Sequence, residues 1–404
     1  MIKKILTVSL LILAVLIFFF GGRNKNSDNE LVFWTLQLGT FDKYINGVIK
    51  EFEELNPDIK IKWVDVPYSE GEKRTLAALL SDNPPDLINL TPDFSALAAQ
   101  RGALFEIPEK EMENYPQSLY DSLSYNGKFY AIPFYLTSAV TYANKKLMQE
   151  GKIYSVPTTY DEMYTQSLKI KLLQNTYTDM PALTENDTFL KILIKNGIDI
   201  LSEKDKDKLI SIYKDYRKYY SEGYIPKESM TQGHREALEK YMSGQIVFLQ
   251  AGANFLNIIK ENAPEVYGNT EISYQLTGNS GKYDFSVMNF IIPLKAKQKE
   301  NALKFATFIT NEKNQLEFAK LTSVLPANKY ALKNPYFSQK NTKEEKARFI
   351  SALQINNLGK IFNETENKKN IINLLNTITG RVLSENKNVE SIVSDYYKDL
   401  EKIK

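Results

Sequence analysis

The stretch from residue 30 to residue 93 constrains the fold of this chain more than any other. Glu30 to Leu36 (ELVFWTL) is an apolar, β-prone run. Phe41, Tyr44, Ile45, Val48, Ile49, Phe52 and Leu55 then recur at helical spacing, and Asn56-Pro57 closes that helix. Ile59 to Val66 (IKIKWVDV) alternates with period two, which puts Ile59, Ile61, Trp63 and Asp65 on one strand face. Residues 70–82 read as a helix through Leu76, Ala77, Leu79 and Leu80. Pro84-Pro85 breaks the chain before a short strand, Asp86 to Leu90. Strands and helices alternating over short connections predict an α/β fold whose sheet is mainly parallel and flanked by helices. Ligands of such sheets sit off the carboxyl ends of the strands, which singles out the loops at Thr35-Leu36-Gln37 and Thr91-Pro92-Asp93.

From about 145 to 265 the pattern is mostly helical, with amphipathic stretches around 188–198, 206–222 and 234–243. Gln245 to Gln250 (QIVFLQ) reads as a strand, followed by Ala251-Gly252-Ala253-Asn254-Phe255 and another helix; Ser286 to Pro293 is a further strand candidate. Helices dominate from there on. In the last of them Val389, Ile392, Val393, Tyr396, Tyr397, Leu400 and Ile403 form one apolar stripe. The alternating charges from Lys204 to Lys208 are a solvated face.

The N-terminus speaks to location. Lys3 and Lys4 precede an apolar run, Ile5 to Phe20, broken only by Thr7 and Ser9, which is the layout of an export signal. A polar linker, Arg23 to Glu30, follows. No small-residue cleavage site and no lipid-bearing Cys stand after Phe20. The segment is therefore either an uncleaved membrane anchor, a little short of the roughly 20 residues that usually span, or is cut at an unrecognised site. Residues 1–28 are expected to be signal or anchor plus linker, and the body to be extracytoplasmic, periplasmic or at the cell surface.

Composition removes several classes. Lys plus Arg number 51 against 49 Asp plus Glu, a net charge of +2, which leaves no basic excess for nucleic acid. The absence of Cys excludes thiolate metal sites and cysteine nucleophiles, and one histidine, His234, excludes a His-rich metal centre. No cofactor is expected.

Several segments resemble, in order, an extracellular solute-binding protein of carbohydrate ABC transporters, the maltose-binding-protein-like family. They include Val32-Phe33-Trp34, Phe52 to Ile61 (FEELNPDIKI), Leu76 to Leu87 (LAALLSDNPPDL), Gly102 to Ile107 (GALFEI) and Tyr125 to Pro133 (YNGKFYAIP). Pro157 to Glu162 (PTTYDE), Tyr241 to Gln245 (YMSGQ), Ala302 to Ile309 and Leu325-Pro326-Ala327 continue the match, while the last 65 residues or so match only as generic helices. Three features depart from the family pattern. The lipid-bearing Cys is missing, Tyr142-Ala143-Asn144-Lys145 displaces a tyrosine by one, and Ala253-Asn254-Phe255 puts phenylalanine where many members carry a stacking tryptophan.

The resemblance implies a two-lobed periplasmic-binding-protein-like clamp. Lobe one would be 29–138 plus 285–323 and lobe two 139–284 plus 324–404, with crossings near 137–140, 282–286 and 322–326. A ligand in the cleft would bias a hinge closure. The closed clamp would then dock on the transmembrane subunits of an ABC permease. The protein would be a monomer and not an enzyme.

A sugar pocket needs flat aromatic faces for C–H patches and carboxylates, amides or hydroxyls for the rim. With 25 Tyr and 21 Phe but only Trp34 and Trp63, stacking has to lean on Tyr and Phe. The expected ligand-binding set is Trp34, Gln37, Asp93 and Phe94 in lobe one, Tyr135 and Thr137 at the first crossing, and Glu185, Asn254 and Phe255 in lobe two. Each has a bland counterpart: Trp34, Tyr135 and Phe255 as core, Asp93 as a helix cap. Trp63, alternating with lysines, reads as core, and His234 as a surface or capping residue. Rival ligands are a glycerol phosphodiester or a polyamine, and a rival role is a sensor-associated receptor. An anionic ligand would call for clustered arginine, and only Arg74, Arg101 and Arg235 fall near predicted cleft loops. A neutral sugar or oligosaccharide is therefore favoured. A secreted glycoside hydrolase, needing a carboxylate pair, lacks a recognisable motif and ranks last.

Overall fold

The computed structural model describes residues 30–359, 361 and 367–403; the apolar segment 5–20 lies outside them. Strand β1 (Glu30–Leu36) runs parallel to β2 (Lys60–Val66) and β3 (Leu87–Leu90) on its two sides. Alternation along ELVFWTL sends Leu31 and Phe33 into one core and Trp34 and Leu36 toward another. Helix Asp42–Leu55 lays Ile45, Val48, Ile49 and Phe52 over the first face, and helix Pro92–Gln100 lays Phe94, Ala98 and Ala99 over the second. The predicted β-α-β-α-β unit is therefore present, with helices on both faces.

After a hairpin of β4 (Ser124–Tyr125) and β5 (Lys128–Phe129), turned on Asn126-Gly127 with both φ positive, β6 (Ile132–Thr137) enters the same sheet. Only Ser138 separates β6 from β7 (Ala139–Asn144), the centre of a second sheet flanked by β8 (Phe248–Gly252) and β9 (Thr270–Ser273). Strands β10 (Ser286–Ile291) and β11 (Leu325–Pro326) complete the first sheet in the order β11-β6-β10-β3-β1-β2. The expectation of a mainly parallel sheet in each lobe needs correcting: in lobe one β10 is antiparallel to β3 and β6, and β11 to β6, so only the pairings of β1 are parallel. In lobe two β8 and β9 are both antiparallel to β7. β7 leads away from Ser138, whereas β8 and β9 return toward it, their Gly252 and Ser273 pairing with Ala139 and Thr141.

Each sheet anchors its own core. In lobe one Phe134 stacks between Phe290 and Phe318, with ring centroids 4.5 and 5.1 Å away, and Phe33 meets Phe290 and Phe305 edge-on. In lobe two, helices Thr188–Lys195, Lys206–Ser221, Lys368–Ser384 and Val389–Ile403 pack around Phe189, Tyr213 and Tyr396. The apolar stripe of the last helix buries Val389, Ile392, Val393, Tyr396, Tyr397 and Leu400. At roughly 1.5–3 kcal/mol per buried side chain, that stripe matches the net stability of a whole domain, about 5–15 kcal/mol.

The third crossing also differs from expectation. Leu325–Pro326 pairs with β6, and Ala327 and Phe337 pack into the lobe-one core, so this stretch belongs with lobe one. Its run of buried apolar side chains continues the first sheet. Helix Lys343–Gln354 then buries Ala347 and Ile350 against lobe two.

The connecting strands meet at one side chain. Gln354, 1% exposed, donates through Nε2 to Ser138 Oγ (2.7 Å) and to the Ala139 carbonyl (2.8 Å). Its Oε1 accepts from the Gln275 backbone N–H (2.7 Å), and Ser351 Oγ donates to the Ser138 carbonyl (3.2 Å). Gln275 Oε1 in turn accepts from the Asp284 N–H (2.9 Å). Gln354→Ala strands buried donors and acceptors on two crossing strands, at about 1–3 kcal/mol each. Urea unfolding should show a loss of about 3 kcal/mol or more; a loss below about 1 kcal/mol would mean that water replaces the amide.

Buried charge supplies a second test. Asp179 lies inside lobe two, where Tyr164 Oη donates to its Oδ1 (2.9 Å), and burial pushes its carboxyl up to about 7. The folded state thus holds a proton that the unfolded chain releases near its ordinary value. The contribution of this group to stability falls as pH rises from about 4 to about 7 and is level above that. Asp179→Asn should remove that slope from the melting temperature measured across pH 4–8; an unchanged slope would mean that Asp179 is ionised in the fold.

Candidate ligand-binding cleft

The loops at the carboxyl ends of β1 and β3 are rigid for local reasons. Asp65, near the end of β2, accepts from Thr35 Oγ1 (2.7 Å) and from the backbone N–H groups of Leu38 and Gly39 (2.8 Å each). Gln37 is held there at φ 53°, the left-handed region, with its N–H on the Val66 carbonyl (2.9 Å). After β3, Thr91-Pro92 starts helix Pro92–Gln100 with proline in its first turn, and places Asp93 beside it.

Asp93 does more than begin a helix. Its Oδ1 lies 2.6 Å from Nζ of Lys368, the first residue of helix Lys368–Ser384 in lobe two, so one ion pair spans the two lobes. Between the lobes is a cavity of about 1020 Å³. Lobe one contributes Tyr68, Asp93, Phe94, Tyr135, Thr137 and Met288; lobe two contributes Asn186, Asp187, Lys191, Lys195, Lys368, Lys369 and Asn373. The connecting segment from Lys282 to Ser286, with Tyr283 and Phe285, lines it as well. Tyr283 stacks on Tyr274 at 6.3 Å, and Tyr135, whose hydroxyl burial pushes up to about 12, leans on Phe134 and Phe318.

The charged groups of the lobe-two wall are organised. Lys195, 4% exposed, sits 2.5 Å from Asp284 Oδ1 and donates to the Leu276 carbonyl (3.0 Å). Burial opposes both charges, yet their mutual attraction wins. The Asp284 carboxyl lies below its ordinary range and the Lys195 ammonium above its own. Lys191 pairs with Asp187 at 3.1 Å. Among the described residues no group of His, Cys, Asp and Glu is arranged to hold a metal ion.

Of the residues singled out from sequence, Asp93, Phe94, Tyr135 and Thr137 line this cavity together. Phe94 is mostly covered, and Thr137, paired with Ser286, is exposed to it. Trp34 opens instead into a separate groove of about 410 Å³ with Arg74, Pro84, Pro85 and Lys297. Gln37 stands on the loop after β1. Asn254 and Phe255 follow β8, where Phe255 meets His234 edge-on at 5.0 Å, and burial lowers the His234 imidazole. Glu185 directly precedes the cavity residues Asn186 and Asp187. Trp63 packs on the lobe-one core and donates through Nε1 to Thr35 Oγ1 (2.8 Å).

Sequence reasoning missed Tyr68, Tyr283 and the lysines. Tyr283 lay inside a predicted crossing, which was a usable signal; Lys368 lay in a region read only as helices and carried none.

The Asp93–Lys368 pair yields a prediction. Asp93 is half exposed, so the ion pair itself is worth about 0.2–1 kcal/mol. Asp93→Ala should therefore move the melting temperature of the ligand-free protein by no more than ~2 °C, while calorimetry shows ligand affinity falling about tenfold or more. Lost stability with unchanged affinity would make Asp93 a structural contact.

Comparison with known proteins fits this geometry. The family model described as bacterial extracellular solute-binding protein matches residues 47–345. The diacetylchitobiose binding protein DasA of Streptomyces coelicolor is 23% identical over 338 residues, covering 78% of this chain and 76% of that protein. The galactooligosaccharide-binding protein of Bacillus subtilis is 24% identical over 360 residues, 82% of this chain and 79% of that one. Among solved structures, a periplasmic-binding protein of Synechococcus sp. MITs9220 superposes with a TM-score of 0.80 at 26% identity, covering 92% of this chain and 98% of that one.

Proposed function

The chain belongs to the bacterial extracellular solute-binding protein family, and we propose on that premise that it captures a sugar or oligosaccharide between its lobes and hands it to an ABC importer. The observation that carries this reading is the inter-lobe cavity, whose walls combine aromatic rings with amides, hydroxyls and charged groups from both lobes. Relatives that bind diacetylchitobiose and galactooligosaccharides support the ligand class.

In this reading Asp93 and Thr137 accept and donate hydrogen bonds to sugar hydroxyls, while Phe94 and Tyr135 offer ring surface to C–H patches. Gln37, Glu185, Asn254 and Phe255 are not among the residues that line the cavity, and Trp34 opens into the other groove, so these five carry no part of the reading. A ligand that touches both lobes favours the closed clamp by its differential affinity for that state. The work is capture and release, without turnover. The protein is exported, as its family is extracellular; segment 5–20 would serve as signal or tether. Lobe one gathers the sheet of β1 and lobe two that of β7, the closed monomer docking on transmembrane permease subunits. Among the described residues no helix is long and apolar enough to cross a membrane.

A thermal-shift screen with mono- and oligosaccharides, glycerol phosphodiesters and polyamines tests the assignment. A ligand at about 100 times its Kd should raise the melting temperature by about 3 °C, and mass spectrometry should recover it intact. Cleaved sugar would point to a hydrolase, and a shift only with a phosphodiester or polyamine would overturn the sugar.

A further inference from the structure

We propose that the saccharide for which this cleft is built carries negative charge, as a carboxylate or sulfate on the sugar, a reading that rests on the carbohydrate assignment above. Among the described residues, the cavity wall holds five lysines, Lys191, Lys195, Lys282, Lys368 and Lys369, against three aspartates. Each aspartate is taken: Asp187 by Lys191, Asp284 by Lys195 and Asp93 by Lys368. Lys282 and Lys369 remain, both exposed, and neither forms an ion pair among the described residues. The Lys282 ammonium donates to the neutral Asn357 Oδ1 (2.6 Å).

The placement of Lys369 sharpens the point. Lys368 and Lys369 occupy the first turn of helix Lys368–Ser384, a turn that contains no acidic residue. Cations there face the positive end of the helix dipole, an unfavourable arrangement unless an anion answers it. Asp93 answers Lys368 from across the cleft. The charge at Lys369 faces the same cavity, where a carboxylate or sulfate on the ligand would answer it. Lysine suits a ligand whose acidic groups vary in orientation along an oligosaccharide, because its ammonium is a flexible point charge without the fixed fork of arginine. A neutral sugar would accept hydrogen bonds from these ammoniums but leave their charge uncompensated.

The test is calorimetric titration of the full chain with matched sets of gluco-, galacto- and chito-oligosaccharides of equal length. Each set has three members: neutral, oxidised at C6 to the uronate, and O-sulfated. The expected result is that an acidic member binds about tenfold tighter than its neutral parent, and that this advantage shrinks between 0.05 and 0.5 M salt, as screening requires. Whichever acidic member wins separates carboxylate from sulfate. Lys369→Gln, at an exposed position, should cut the acidic-to-neutral affinity ratio several-fold; Lys282→Gln is the second variant. Equal or tighter binding of the neutral parent overturns the anionic inference and leaves the sugar-binding reading standing. No binding by any member overturns both.

Discussion

A clamp with two separate cores depends on keeping the strands between them aligned, and here that task falls to one buried amide. Gln354 reaches Ser138 and Ala139 on one connecting strand and Gln275 on the other, using donor and acceptor at once. Both amide N–H groups are used, the amide oxygen takes the Gln275 N–H, and the side chain serves all three partners without carrying charge. The line continues, since Gln275 holds the Asp284 backbone and the Asp284 carboxylate faces Lys195 on the cleft wall. A group that touches Lys195 therefore acts three hydrogen-bonded steps from the pivot. The segments that join the two cores are thus hydrogen-bonded to one another.

The β-α-β-α-β unit was legible because each element there carries its own period and its own stop: Asn56-Pro57 after the first helix and Pro84-Pro85 before β3. The antiparallel second sheet was not, because strand direction depends on which end of β7 faces the crossing, and no local pattern encodes that. The carboxyl-end rule found Asp93, and the crossing position found Tyr135 and Thr137, since each follows from where a strand ends. Its partner Lys368 stands 275 residues away on a helix whose sequence differs little from its neighbours. Trp34 shows the opposite limit: an alternating strand tells which residues share a face but not which face meets the cleft.

The distribution of charge was hidden for a related reason. The sequence holds few arginines, and none of its windows clusters positive charge near a predicted cleft loop. The cleft gathers its positive groups as lysines from positions 191, 195, 282, 368 and 369, which no window of sequence brings together. The pairing of Lys195 with Asp284 also depends on burial, and burial is set only when the segment after β9 folds back over helix Thr188–Lys195.

The last helix carries a consequence for how the molecule comes into being. Helix Val389–Ile403 fills the core formed by residues from Ala143 to Val247, and the lobe-one sheet is incomplete until β10 and β11 arrive. Neither lobe is a continuous piece of chain. A ribosome releasing this polypeptide in order emits the strands of lobe one long before their antiparallel neighbours, and most of the lobe-two core long before its closing stripe. Loop closures over such sequence separations are slow, so the emerging chain stays largely unfolded and its apolar surfaces stay open to chaperones. A chain that must be threaded through a translocation channel before it folds gains from that delay.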